Sequence, residues 1–573
     1  MPRTLRLVAL VPFLLLILIG WFWWNRPEPV DMAAYAPADA LVYLECNSLL
    51  DLGTAITGTD AWHKLAPPGM GPVKDGWSTF FVRNTGIGPT ASVIASRAQL
   101  AFVVLDLTTL DRGNGLEYQA PMALLIETHT IESRVKSLVE KMANDFATHA
   151  LSGAKRDQLA IDGSQVSRWM SADGRDQVLA VADGSLAIIG NDQKAISACL
   201  AVHRGQRAGM LHRPELERMR AQVGANSGDS LSFGFISAAN ATKLITAGAP
   251  KVLGPLLQQE QFKRLISNGA SKFVGDIGWS SHTAKGGIED RYFIQTRPEI
   301  LSGLKSGFVP TQVDFGGAWD LLPPHIYSVT SYNMRVPADA WSALGTTVSA
   351  QLDVVSAVLF TTTFKELLGP YDIDDPETFL KAIQPDLLTV RMESQSERAL
   401  VIAGIASPDD LRKFVGRRFG PNPRSEKIGA SELFISADED FAASFAGDFF
   451  LLGSPDDVRR SLSTRESHKT IATSSSALES VSHFLDKPTS APVITFVNES
   501  DRAVSVVNTI TALRGSAVDQ TSIDRAAREL PYSVTETEIG SAGFQRRTRS
   551  NFGIFGYLLT SFARPSTNRS TQQ

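Results

Sequence analysis

The chain has 573 residues, 43% of them hydrophobic and 20% charged, which is enough apolar content for packed cores and excludes a disordered polypeptide. Lys and Arg number 55 against 60 Asp and Glu, a net charge of −5 at pH 7, and a mildly acidic chain is a poor partner for nucleic acid. Two cysteines exclude a disulfide framework; Cys46 and Cys199 allow one bridge in an oxidising compartment, and two buried free thiols are the simpler reading.

The first element in chain order is an uncharged stretch from Leu7 to Trp24. As a helix it covers roughly 27 Å, close to the thickness of a bilayer's hydrocarbon. Pro12 costs it one backbone hydrogen bond, and Trp21, Phe22, Trp23 and Trp24 supply the indole and phenyl rings that favour a headgroup boundary. Arg3 and Arg6 precede the stretch, while Arg26, Glu28 and Asp31 follow it without positive excess, so the N-terminus is expected inside and the rest of the chain outside. A cleaved signal peptide is the competing reading, since Ala34 and Ala36 form a small-x-small pair. That pair lies well past the apolar run and is followed by Pro37, which favours an uncleaved signal-anchor. Neither cysteine ends the apolar run, which argues against a lipoprotein.

From Pro37 onward one order of elements is read twice, at 37–298 and 323–562. Pro37 to Asn47 (PADALVYLECN) lies over Pro323 to Asn333 (PPHIYSVTSYN) as proline, apolar strand and Asn. Gln99 onward (QLAFVVLD) lies over Asp386 onward (DLLTVRME). A strand with a capped helix follows from Leu124 and from Val401, with Thr130 and Ser407 as expected N-caps. A further strand and helix follow from Ala182 and from Ala446, where Gly190 and Gly453 are read as turn glycines, with Asn191, Asp192, Ser454 and Asp456 as caps. The segments from Leu231 and Val493 are again strand then helix, and each half closes in alternating hairpin segments. The expected fold class is α+β: an N-terminal transmembrane helix, then two tandem, duplicated lobes of mainly antiparallel sheet, each covered by helices on one face. In these terms residues 1–26 are stub and anchor, 27–36 a linker, 37–298 the first lobe, 299–322 a linker, 323–562 the second lobe and 563–573 a tail.

PADALVY, placed directly after an anchor and before helix and sheet repeats, resembles bacterial envelope-anchored proteins of domain-of-unknown-function families. That resemblance covers mainly Pro37 to Asn47 and the repeat plan. It implies a bacterial periplasmic protein and carries over no catalytic residues.

Several side-chain groups could carry chemistry, and each has a plainer reading. Asp372, Asp374, Asp375 and Glu377 concentrate acid as a calcium site does, yet Asp375-Pro376-Glu377 is also the chemistry of a helix start. Asp409, Asp410, Asp456 and Asp457 read as first-turn acids facing helix dipoles. Ser133 with Lys136 and Ser152 with Lys155 have Ser-x-x-Lys spacing without the companion motifs that would make either a nucleophile and base. The nine histidines, at 63, 129, 149, 203, 212, 282, 325, 468 and 483, include no pair at metal-ligand spacing. Gly86 and Gly88 suggest a phosphate loop but lack Gly-Lys-Ser/Thr. Trp62, Trp77, Phe80 and Phe81 read as a satellite core before a binding face, and FGIFGYLLTSF as a last element packed on the second lobe before a membrane-surface segment.

With Gly-x-Ser-x-Gly, Cys-x-x-Cys and zinc motifs absent, no catalytic, cofactor or metal residue is assigned from sequence. The expected function is a membrane-tethered periplasmic binding or scaffolding protein with an envelope protein as partner and the inner membrane as its location. The alternative is an envelope hydrolase with an unfamiliar site.

Overall fold

In the computed structural model, the described residues are 29–67, 98–111, 116–253, 269–311, 317–353, 356–357, 360–361, 364, 366–371, 373–396, 398–420, 423–471, 484, 491–513 and 519–563. Their strands are short, four to nine residues each. The first set comprises β1 (Val42–Cys46), β2 (Gln99–Val104), β3 (Thr108–Asp111), β4 (Leu116–Gln119), β5 (Met122–Glu127), β6 (Lys155–Ile161), β7 (Ser164–Met170), β8 (Gln177–Asp183), β9 (Leu186–Gly190), β10 (Ser230–Ile236), β11 (Ile277–Ala284) and β12 (Gly287–Gln295). The second comprises β13 (Ser328–Tyr332), β14 (Ile383–Arg391), β15 (Leu400–Ile405), β16 (Arg424–Ile428), β17 (Ser431–Ile435), β18 (Ala442–Ala446), β19 (Phe449–Gly453), β20 (Val493–Val497), β21 (Ser533–Ile539) and β22 (Gly543–Ser550).

Twenty of these strands form a single sheet, antiparallel throughout, with β3 and β4 a separate hairpin. Its lateral order runs β6, β7, β8, β9, β5, β2, β1, β10, β11, β12, then β22, β21, β20, β13, β14, β15, β19, β18, β17, β16. The second ten strands repeat the connectivity of the first ten in reverse, and β12 and β22 join the two at the centre.

This corrects the expected fold class in three respects. No helix among the described residues is long and apolar enough to cross a membrane, against the expected transmembrane and signal-anchor element. The segment Leu7 to Trp24 on which it rested lies outside the described residues. The longest described helix, Glu132–Ala150, buries only one stripe, because charged residues interrupt its apolar ones. In place of two lobes there is one continuous sheet. Each closing hairpin ends in a strand with an open row of N–H and C=O groups, and pairing β12 with β22 satisfies both rows at once.

The third correction concerns the helices, which cover both faces. On one face Gln193–His203 and Pro214–Val223 pack on the first ten strands, and Pro455–Ser467 packs on the last ten. On the other, Glu132–Ala150 and Pro408–Phe419 cover the corresponding regions. Two-sided burial explains why β9, β15 and β19 read LAIIG, LVIAGI and FFLLG without polar alternation.

Some expected local roles also change. Ile131, not Thr130, is the N-cap of Glu132–Ala150, and it makes no side-chain cap bond; Ser407 caps its helix but turns its hydroxyl to Asp410, at 2.7 Å. Asp192 and Ser454 do cap, accepting from Lys194 N at 2.7 Å and Asp457 N at 3.2 Å. Gly190 and Gly453 are close-approach positions with ordinary backbone angles. A Cβ at Gly190 would lie 2.9 Å from the Met122 carbonyl, and one at Gly453 3.1 Å from Leu400 Cα. In the stretches read as linkers, Met32, Ala33 and Ala36 are buried in the first core, and Pro298–Gly307 is a helix against Pro337–Ser349.

Candidate functional site

Counting outward from two hairpin turns locates the site. The hairpin β8–β9 turns at Gly184 and β18–β19 at Gly447, both with positive φ, and each is a two-residue connection. Two positions from the turn, Phe445 pairs across strands with Phe450, their rings 5.2 Å apart, and the Arg412 guanidinium lies 5.8 Å over Phe445. At the corresponding place in the first half, Ala182 pairs with Ala187. Lys136, the residue after core-facing Val135, stands where Arg412 follows Leu411. Ala182 in place of Phe445 leaves space that the second half fills, while Ala187 stays buried in the core.

That space is a cleft of about 230 Å³ beneath the helix Glu132–Ala150. Glu132, Lys136, Val139 and Glu140 line it from the helix, Ser164, Gln165 and Ser167 from β7, and Ala180, Val181, Ala182 and Asp183 from β8. Its chemistry is polar and of both signs. Glu140 is 3.0 Å from Arg156, which also bonds the Ser167 hydroxyl at 3.1 Å, while Ser167 donates to Glu140 at 3.3 Å. Asp183 is held by Arg204 at 2.9 Å, and Arg204 reaches Ser164 and, at 2.7 Å, the Asp162 carbonyl. Among the described residues Lys136 and Glu132 make no ion pair or hydrogen bond through their side chains, so a cation and an anion one helical turn apart face the cleft mouth. The arrangement offers hydrogen-bond donors and acceptors from fixed positions. It does not offer an activated nucleophile, because the carboxylate nearest a serine is already occupied by a guanidinium.

A second constellation has the composition of a hydrolytic triad. Ser280 Oγ lies 2.8 Å from His282 Nε2, and His282 Nδ1 lies 3.6 Å from Asp229. Its proton arrangement is the reverse of a working triad. The Ser280 hydroxyl donates to the Val223 carbonyl at 2.7 Å, so Nε2 donates to Ser280 and has no lone pair for its proton. Burial lowers the His282 pKa and outweighs the opposing pull of Asp229, 3.6 Å from Nδ1. Ser280 is fully buried. These side chains tie the end of Pro214–Val223 to β11.

The groups singled out in the sequence are placed apart. Asp375 caps Pro376–Lys381 through Thr378 N at 3.2 Å, Glu377 pairs with Lys381 at 2.7 Å, and Asp372 lies outside the described residues. Among the described residues no three His, Cys, Asp or Glu side chains converge as a metal would need. Ser133 is exposed in the first turn of its helix, and of the two Ser-x-x-Lys pairs only Lys136 joins the cleft. Cys46 and Cys199 are buried free thiols, and burial pushes them up to about 11 and about 12. Trp62 packs in a core with Ile288, Val506 and Phe552; Gly86, Gly88, Trp77, Phe80, Phe81 and His483 lie outside the described residues. The helix Gly553–Ala563 packs on Ser500–Leu513.

One repeated signal goes unread in the sequence. Ser171-Ala172-Asp173 and Ser436-Ala437-Asp438 form the same turn, each serine donating to its aspartate, at 2.6 and 2.5 Å, and accepting a backbone N–H at 3.0 Å. The serine hydroxyl holds both aspartates below the usual carboxylate range. No family model matches the sequence, and neither curated proteins nor solved structures give a match.

Proposed function

We propose that the protein is a non-enzymatic binding or scaffolding protein, that the cleft under Glu132–Ala150 is where it receives a polar group, and that an envelope protein is the partner class to seek. The observation that carries this reading is the polar cleft beside Ala182, at the position where Phe445 stacks on Phe450 in the other, like-connected half. The paired carboxylates and the engaged serines support recognition over bond cleavage.

The test places a photo-crosslinking residue at Gln165, on the cleft wall, and a second one at the remote edge residue Lys427. Adducts are collected from cells with and without Ala182→Phe, which fills the cleft as Phe445 fills its counterpart. A partner captured from Gln165, absent from Lys427 and lost with Ala182→Phe, is the expected result. Recovery of the protein alone from both positions, or capture that ignores Ala182→Phe, overturns the proposal.

A further inference from the structure

The centre of the sheet holds an arrangement that its own residues leave incomplete. Lateral neighbours followed inward from β1 run Glu45, Phe233, Ser280, Arg291, and from β13 they run Ser331, Ile494, Glu536, Arg547. Arg291 and Arg547 thus occupy the same register position in the two halves, and they are also directly opposite one another across the β12–β22 pairing. They sit on the internal two-fold relation of the sheet, on the same face.

Like charges directly opposite in a ladder repel. Among the described residues, the carboxylate within 4.0 Å of both Arg291 and Arg547 is the buried Glu289. Its Oε1 is 2.6 Å from Arg291 Nε and 4.0 Å from Arg547 Nε, and its Oε2 is taken by Arg549 Nε at 2.6 Å. Glu536, beside Arg547 on β21, makes no ion pair within 4.0 Å among the described residues. Among the described residues, Arg291 and Arg547 therefore share one carboxylate, which is already bonded to Arg549. The Arg291 and Arg547 side chains are 40% and 50% exposed, and among the described residues their terminal amino groups meet no acceptor.

We propose that Arg291 and Arg547 together form an oxyanion site that takes one phosphate or carboxylate group between them. Planar guanidinium groups with terminal N–H pairs that meet no protein acceptor bind such oxygens bidentately; Glu289 fixes the Nε of Arg291, whose Nη1 lies beside the Gly224 turn. The bound oxyanion supplies the negative charge that the pair lacks. The site is independent of the cleft.

The experiment is arginine modification by phenylglyoxal on the full chain, mapped by peptide mass, in chloride, phosphate or acetate at matched ionic strength. Arg424, on edge strand β16 and 67% exposed, is the control. Phosphate, acetate or both should slow modification at Arg291 and Arg547 several-fold and leave Arg424 unchanged. Protection by phosphate alone assigns the source as a phosphoryl group, and protection by acetate as well assigns a carboxylate-bearing ligand. Arg547→Gln, at a half-exposed position, should abolish protection of Arg291 while near-ultraviolet circular dichroism stays as in the parent. Equal rates in all three salts, equal slowing at Arg424, or protection of Arg291 that survives Arg547→Gln in a folded variant overturns the proposal.

Discussion

Two buried charges decide most at the scale of single residues. Arg220 bonds Asp31 at 2.7 and 2.8 Å and Glu45 at 2.9 and 3.0 Å, and lies 5.4 Å over Phe233, while Tyr43 donates to Glu45 at 2.5 Å. Burial drives Glu45 upward; at half-exposed Asp31 burial acts the same way, but the hydrogen bonds and charge of Arg220 outweigh it and lower the pKa. Arg220→Met removes the one cation serving both, and urea unfolding should show a loss of about 3–5 kcal/mol. Asp290 sits on the opposite face of β12, accepting from Ser281 and from Ile554 N at 2.9 Å, and burial pushes it up to about 6 from an ordinary 3.8. The folded chain therefore holds that proton more tightly than the unfolded chain. Its stabilising contribution is complete below pH 4 and is lost as pH rises toward 6, at up to about 1.4 kcal/mol per pH unit. His282, lowered by burial, acts in the opposite sense as pH falls. The difference between parent and Asp290→Asn isolates the carboxylate: the variant should gain on the parent from pH 4 to 6 and hold a constant margin above. A margin independent of pH across that window contradicts the assignment.

At the scale of elements, the repeated Ser-Ala-Asp turn gives an internal control. Its fourth residue has positive φ in both copies, 70° at Gly174 and 58° at Glu439, a region in which a side chain crowds its own backbone. Glu439→Gly should raise stability by about 0.5–1 kcal/mol in urea unfolding, because the exposed Arg424–Glu439 pair it forfeits contributes little. An unchanged or lowered midpoint would show that the turn carries no such strain. That turn was not read from the sequence, whereas several strands and helices were. The strand and helix after Leu124 and after Val401 follow from apolar runs and acid-rich first turns. The cap at Ile131 was not, since a cap without a side-chain bond has no residue signature. The cleft was not either: Ala182, Ala187, Phe445 and Phe450 stand in plain view in the chain, but their meaning depends on which residues face each other across two hairpins.

At the scale of the whole molecule, the seam is what the sequence conceals. GGIEDRYFIQ and FQRRTRSNFG carry charge on the face they share, so each reads as the outer strand of a closing hairpin, and nothing local marks them as partners. The true outer strands, β6 and β16, carry Lys155, Arg156 and Asp157 at one end of the sheet and Arg424, Glu426 and Lys427 at the other, which discourages pairing with a further chain. A continuous sheet predicts that amides of Ile288 to Gln295 and Gly543 to Ser550 exchange as slowly as those of β1 and β13. Early exchange confined to those sixteen or so positions would restore two separable units.

Synthesis meets that seam in an awkward order. Glu289 and Arg549, bonded across it, are 260 residues apart in the chain. At about 5–20 residues per second on the ribosome, β12 waits roughly 13–50 s for β22 to exist. For that interval the first half is a sheet whose β12 margin is open in addition to its charged β6 edge, and a nascent copy nearby offers the same β12 margin. Crowded translation is therefore a condition under which this chain is exposed to joining the wrong partner.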